Sequence, residues 1–423
     1  MSKGSMHRFR KIANALLFGI VSATLIYTVS QTVGYHKFLR LQNSIDDSHF
    51  TLLRKKIPRP DSIVIVDMDD VSILSLGNFK RWPRRHFATV ISRVNDDGAR
   101  LVFLDVMLMR GGSGKDNRAL ADTVTTAGNV ILGYYFNLDT SSVRKRPLDP
   151  VYNERFGGWF GSRDPERKEF LRAYDMNLPF PELVYSARKL GFTNCIPDPD
   201  SVLRHIPLYI AYKSSLLSSV SLQMWMYLKG IHPSKAVVTP RGTRFGNTFI
   251  PTDRHSFMRL NFLNSGHSHP KVRFADVLLN HFSPGTFRGR IVMIGSSAGV
   301  LGDLKAVPGN RSLPGVEIHA AALSTLLSGQ FVTVVPGNSV FLVCLVVGIL
   351  AGMILAFIPL LPAGLVVAAS IPIILYCCSV CLFITRSALM NNSIPSAVAV
   401  FMVFVMAIHR FVESHEKKLS DHS

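Results

Sequence analysis

Four long apolar stretches constrain this chain more than any other feature. They fall at residues 12–33, 339–358, 363–385 and 392–411, and each is long enough to cross a bilayer as a helix. Inside lipid every backbone polar group must be satisfied within the protein, so such stretches fold as helices. The connections between the last three are short. Phe357-Ile-Pro-Leu-Leu-Pro362 carries no charge, and Arg386 to Asn391 carries one. Lys3, Arg8, Arg10 and Lys11 precede the first stretch, while His409, Arg410, Lys417 and Lys418 follow from the end of the last. Basic flanks mark cytoplasmic ends. Residues 1–11 and 412–423 are therefore expected inside the cell and residues 34–335 outside the membrane. An odd number of spans would contradict the charge at one end. The first apolar run continues past Ser22 and Ala23, which favours an uncleaved anchor over a signal peptide.

Composition matters most for the block at 34–335. It holds 39 Lys and Arg against 25 Asp and Glu, a net charge of +14. Residues 201–250 carry six basic residues and no acidic one. Such charge often meets nucleic acid, but a translocated domain does not, so nucleic acid is excluded as a partner. Membrane lipid, envelope polymers or a small or anionic envelope ligand fit better, as does a basic face that is only solvated. Of five cysteines, Cys195 alone lies in this block, so its fold is expected to need no internal disulfide. Cys344, Cys377, Cys378 and Cys381 lie in the spans and read as packing residues rather than a metal site.

The block alternates strands and helices. Ser62-Ile-Val-Ile-Val66 is a buried-strand run that ends in Asp67-Met-Asp69-Asp70. Pro83 opens a helix with Phe87, Val90, Ile91 and Val94 on one face, and Gly98 stops it. Leu101-Val-Phe-Leu104 is a second strand ending in Asp105, residues 117–127 read as a helix, and Val130-Ile-Leu132 as a third strand. Residues 139–176 read as a surface insertion. A strand is expected at 202–210, a helix at 219–229 and another strand near Arg259-Leu-Asn-Phe262. Ile291-Val-Met-Ile294 breaks at Gly295 into Ser296, Ser297, Ala298 and Gly299, and Val316, Ala320, Leu323 and Leu327 have helical spacing. This order predicts an α/β domain with a mainly parallel sheet, attached to a four-helix transmembrane region with one span before it and three after. Residues 35–57 are expected to continue from the first span as a helix with Phe38, Leu41, Ile45 and Phe50 on one face, ended by Pro58 and Pro60.

Several motifs resemble the CHASE2 sensor domain of bacterial membrane receptors. They are Ile63-Val-Ile-Val-Asp-Met-Asp-Asp70, Trp82-Pro-Arg-Arg-His86, Gly98-Ala-Arg-Leu-Val-Phe-Leu-Asp105, Gly191-Phe-Thr-Asn194, Asp200 with Arg204-His-Ile-Pro207, Arg290-Ile-Val-Met-Ile-Gly295 and Pro314-Gly-Val-Glu-Ile-His-Ala320. They occur in the family's order over roughly residues 35–330. The resemblance implies a sensing domain outside a bacterial inner membrane, coupled to a cytoplasmic effector. Only 13 residues follow Arg410, so the effector is expected to be a separate partner, either a signalling protein or another subunit of an envelope complex. One departure is Ser201 after Asp200, where the family often has glycine.

Asp67, Asp69, Asp70, Asp105 and Asp303 all follow strands or the Gly295 loop. If those strands are neighbours, the carboxylates converge on one crevice. Together with Ser296 and Ser297 they form the candidate ligand site. Convergent oxygens suit a hard cation or an arginine, whereas helix capping and loop bonds use the same residues structurally. The Gly295–Gly299 stretch could form an amide nest for an anion at a helix start. Ser296 or Ser297 with His319 suggests a hydrolytic pair, but no G-x-S-x-G elbow accompanies it. No metal, cofactor or enzymatic activity is therefore expected. Gly348-x-x-x-Gly352 permits close helix approach, within the bundle or in a homo-oligomer. The expected function is a multi-pass membrane sensor that binds an envelope-side signal. The alternative is an assembly subunit that docks through the basic stretch, including Arg241 and Arg244.

Overall fold

The computed structural model describes residues 3–52, 62–109, 111–139, 170–213, 215–262, 269–299, 304–309 and 311–421. The chain divides into two compact units, Arg54–Phe331 and Met1–Leu53 with Val332–Ser423.

The first unit is built on six parallel strands. In chain order these are β1 (Ile63–Asp67), β2 (Leu101–Leu104), β3 (Val130–Asn137), β4 (Lys189–Phe192), β5 (Lys271–Arg273) and β6 (Ile291–Gly295). They lie in the order β5-β1-β6-β2-β3-β4, every pair parallel. A short strand, Asp175–Asn177, adds antiparallel to the far end of β3 and makes the sheet mixed. The inner strands are continuous apolar runs because helices cover both faces. Val64, Val66, Val102, Leu104, Val292 and Ile294 meet Phe87, Val90, Ile91 and Val94 of the helix Arg85–Asp96 on one face, where Gly114–Ala127, Pro181–Ser186 and Phe274–Leu279 also pack. The other face meets the helices Val220–Lys229 and Gly315–Ser328. Approach there is close. A Cβ on Gly191 would lie 2.3 Å from Val220 Cα, and one on Gly295 would lie 2.5 Å from Val316 Cβ.

The expected strand at 202–210 is broken into His205–Pro207, paired with Phe257–Arg259, and Tyr209–Tyr212, paired with Ser215–Ser218. Each half serves a different neighbour. Most of the stretch read as an insertion, 140–169, lies outside the described residues. Trp82 stacks on Phe274 with centroids 5.1 Å apart and donates to the Gly77 carbonyl at 2.7 Å, so it closes an edge of the core.

Arg204, 3 % exposed, donates to Asp198 at 2.7 Å and to both oxygens of Asp200 at 2.9 Å, while His205 Nε2 lies 2.7 Å from Asp198. Burial alone would push both carboxyls up, but bonds from His205 and Arg204 to Asp198, and from Arg204 to Asp200, hold both below their ordinary value. Their stabilisation is complete above the unfolded carboxylate value of about 3.9 and is lost as pH falls through the lower folded values. Arg204→Met should therefore cost stability at neutral pH, and its deficit against the parent chain should narrow below about pH 4, as acid unfolding monitored by tryptophan fluorescence would register. In the same turn Ser201 has φ +65°, the left-handed conformation that suits glycine. Ser201→Gly should raise stability by about 1 kcal/mol in thermal unfolding, and Ser201→Val should lower it.

The second unit contains the helices Lys3–Gln31, Tyr35–Leu52, Gly337–Phe357, Leu360–Arg386 and Ser393–Asp421. Four of them contain segments long and apolar enough to cross a membrane: Ser5–Gln31, Gly337–Phe357, Pro362–Arg386 and Ser393–Leu419. The Gly348-x-x-x-Gly352 motif is used inside this bundle, against Gly19 and Ala15 of the first helix. Cys344 is buried among the helices as expected, but Cys377, Cys378 and Cys381 are exposed rather than packed in the bundle's interior.

The helix Tyr35–Leu52 corrects its sequence reading. Leu41 is 54 % exposed, and the buried face is Gln42, Asn43, Asp46, His49 and Phe50. The reason is backbone chemistry. Gln42 Oε1 accepts the Asn392 and Ser393 amides at 2.8 and 3.1 Å, and its Nε2 donates to the Met390 carbonyl at 3.1 Å. The start of the last helix has orphan donors that an apolar face could not satisfy. Pro58 and Pro60 lie outside the described residues.

Candidate functional site

Parallel strands open a crevice at their C-terminal ends, and this sheet has one of about 510 Å³ there. Met68, Phe79 and Met107 supply apolar wall, and Asp105, Tyr135, Thr193, Ser296, Lys305 and His319 supply polar groups. Gly133 keeps the space open, since a Cβ there would lie 2.7 Å from the Thr193 methyl and 3.8 Å from Asp105 Oδ1. His319 is 3 % exposed, and its ring stands edge-on to Phe103 at 5.9 Å.

The candidate residues do not converge as one carboxylate cluster. Asp105 and Ser296 line the crevice. Ser296 Oγ donates to the Met68 carbonyl at 2.9 Å and accepts the Ala298 amide at 3.1 Å, so it braces the loop. Asp69 is a helix cap: its side chain accepts the Ser72 amide at 2.8 Å, and Oδ2 lies 3.3 Å from Arg273 Nε. Asp70 is an exposed residue in the first turn of the helix Asp70–Leu76. Asp303 lies outside the described residues. The reason for the dispersal is that Asp69 and Asp70 are already past the strand end and follow the helix outward.

Asp67 and Ser297 form a second locus. Asp67, 5 % exposed, accepts the Ser297 amide at 2.9 Å and the Ser297 hydroxyl at 2.6 Å. The expected anion on the Gly295–Gly299 loop is therefore, at Ser297, the chain's own carboxylate. The loop also leads not straight into a helix but into a hairpin, Leu304–Val307 with Arg311–Pro314, before Gly315–Ser328 begins. Lys271 Nζ stands 3.3 Å from Asp67 and 2.8 Å from Glu317, which is 1 % exposed. Burial would lower the Lys271 pKa, but the bonds and charges of Glu317 and Asp67 more than offset it and hold the amine above its ordinary value. Glu317 Oε2 is 3.7 Å from His269 Nδ1, and His269 Nε2 is 3.0 Å from Ser324 Oγ.

Ser324, His269 and Glu317 follow the order of a hydrolytic relay. Ser324 is fully buried, however, and 3.7 Å is too long for the second bond. The Ser297 hydroxyl of the pair suggested by the sequence is bonded to Asp67. Among the described residues no three His, Cys, Asp or Glu side chains are placed to share a metal ion.

Sequence reasoning missed Lys271, His269 and Lys305. Glu317 and His319 stand two residues apart in an apolar helix, a spacing that gives no sign that both are buried. Cys195 and Thr193 at the crevice follow directly from the Gly191-Phe-Thr-Asn194 motif, whose Asn194 brackets the Phe136 backbone with bonds of 2.8 and 2.9 Å.

The α/β domain with its strand-end crevice thus belongs to a chain that also carries four helices long and apolar enough to cross a membrane. The chain belongs to the CHASE2 family: the CHASE2 domain model matches residues 20–354. CHASE2 is a family of sensory domains. Neither the curated proteins nor the solved structures contain a match.

Proposed function

We propose that this protein is a multi-pass sensor of the bacterial inner membrane. Its α/β domain lies on the outer side, binds a small envelope-side ligand in the crevice, and biases a two-state arrangement of the helices that a separate partner reads. The observation that carries the reading is the crevice itself, in which Asp105, Lys305 and His319 stand over apolar wall at the C-terminal end of a sensory-family sheet. A carboxylate, an amine and an imidazole around one cavity suit a small polar ligand. The basic residues before the first helix and around the end of the last support cytoplasmic termini. The test is native mass spectrometry of the full chain from mild detergent. A small molecule should be retained by the parent chain and lost in Asp105→Asn and Lys305→Gln, with both variants still folded. Equal retention, or none in any form, would sink the proposal.

One observation favours docking as a second use of the domain. In the meander Ala236–Thr239, Gly242–Phe245, Thr248–Pro251, the exposed residues Val237, Arg244 and Phe249 stand in cross-strand register, with Arg244 5.5 Å over the Phe249 ring. Arg244→Glu should release a protein partner held there, measured by co-purification. An unchanged complex would leave the crevice as the domain's working surface.

A further inference from the structure

Within the helical unit, the first helix, the end of Gly337–Phe357 and the last helix enclose a cavity of about 650 Å³. Its floor is apolar, from Ala356 and Met406, and its rim is basic, from Arg10, Lys11, Arg410 and Lys417. Glu413 and Glu416 also line it, so the rim keeps a net charge of +2 with histidines neutral.

Three of the rim cations, Arg10, Lys11 and Arg410, have no carboxylate partner among the described residues. Arg410 Nη2 donates to the Leu355 carbonyl and, at 2.6 Å, to the Ile358 carbonyl, which fixes the guanidinium at the C-terminal end of a helix. Its Nε and Nη1 have no partner among the described residues, and neither do the side chains of Arg10 and Lys11. A guanidinium held in one orientation with two donors unused is a ready partner for a phosphate.

The surroundings say which phosphate. Phe9, beside Arg10, is 66 % exposed, and Phe411, beside Arg410, is 68 % exposed. Large apolar side chains thus remain on the outer surface of both helices at the level of the basic rim. On a membrane-spanning bundle this is the boundary between acyl chains and headgroups. We infer that the cavity binds the phosphate of an anionic glycerophospholipid whose acyl chains lie along the exposed apolar surface. The site stands apart from the crevice and rests only on the membrane reading of the four helices.

The test uses the full chain in mild detergent with phosphatidylglycerol or phosphatidylcholine added, and counts retained lipid by native mass spectrometry. The parent chain should retain phosphatidylglycerol preferentially. The Arg10→Gln, Lys11→Gln double variant should lose that retention by roughly tenfold or more, from two basic contacts at a membrane surface. Ser414→Glu, which adds a negative charge to the same cavity, should do likewise. Arg8→Gln, one turn away and not part of the lining, should retain lipid as the parent does. Equal retention of the two lipids, an equal loss in Arg8→Gln, or displacement of the lipid by millimolar inorganic phosphate would overturn the inference. The last outcome would assign the cavity to a free phosphate.

Discussion

Lys271→Met should destabilise the α/β unit by about 3 kcal/mol, because it removes the cation from a carboxylate that is only 1 % exposed. The ammonium joins Asp67 and Glu317, so one substitution strips a partner from two acids. Asp67 keeps the amide and hydroxyl of Ser297 and is partly compensated. Glu317 is the more deeply buried of the two acids, 1 % exposed against 5 % for Asp67, and it loses the shorter contact to the ammonium, 2.8 Å against 3.3 Å. The penalty should therefore come mainly from Glu317. Adding Glu317→Leu to Lys271→Met should recover more than half of the loss, since an apolar pair of similar volume avoids the desolvation of two ions. Thermal unfolding of the full chain, read by protease resistance of the α/β unit, would measure both. A double variant no better than the single would show that Asp67, not Glu317, depends on Lys271.

The same interaction has an alkaline signature. The Lys271 amine has its pKa raised on folding, so its contribution is complete below the unfolded lysine value of about 10.4 and is lost as pH rises through the higher folded value. The difference between the parent chain and Lys271→Met should accordingly be flat across neutral pH and shrink only above about pH 10.4.

This network marks the limit of what the sequence makes legible. Strand ends are readable because buried parallel strands are continuous apolar runs. Asp67 and Asp105 sit where the runs at Ile63 and Leu101 stop, as expected. Which partner each acid takes is set by elements far away in the chain: Lys271 from β5, Ser297 from the loop after β6 and Glu317 from a helix beyond that. No local pattern encodes such meetings. The hairpin before Gly315 was missed for a different reason. Leu304–Val307 and Arg311–Pro314 are four residues each and hold too few apolar positions to reveal a period of two. The helix Tyr35–Leu52 was recognised but rotated, because its true face is chosen by amides at Asn392 and Ser393 rather than by apolar area. Trp82, by contrast, sits at an edge of the core, since a large ring beside a helix-opening proline has few other places to go.

Gly348→Leu should have the largest effect in the helical unit. A Cβ at Gly348 would lie 2.5 Å from the Gly19 carbonyl oxygen, and one at Gly19 would lie 2.7 Å from the Gly348 oxygen. The obstacle on each side is backbone, which cannot rotate away as a side chain would. Gly352 repeats the contact one turn on, where a Cβ would lie 2.6 Å from the Ala15 oxygen. Lipid gives helices no hydrophobic reason to associate, so the close fit of small residues is itself the attraction. Forcing the two helices apart forfeits dispersion contacts along several turns as well as incurring the clash, and the cost should reach about 3 kcal/mol. Gly348→Ala should cost less but still move the pair, whereas Leu342→Ala, at a side chain 61 % exposed on the same helix, should be nearly silent. A cysteine pair at Tyr27 and Phe341, whose rings lie 5.0 Å apart between the same two helices, offers a direct reading: its crosslinking in membranes by a short bifunctional reagent should be efficient in the parent background and fall sharply with Gly348→Leu. If crosslinking and thermal stability both survived that substitution, the first helix and Gly337–Phe357 could not be packed through these glycines, and any signal carried by their relative movement would need another contact to act on.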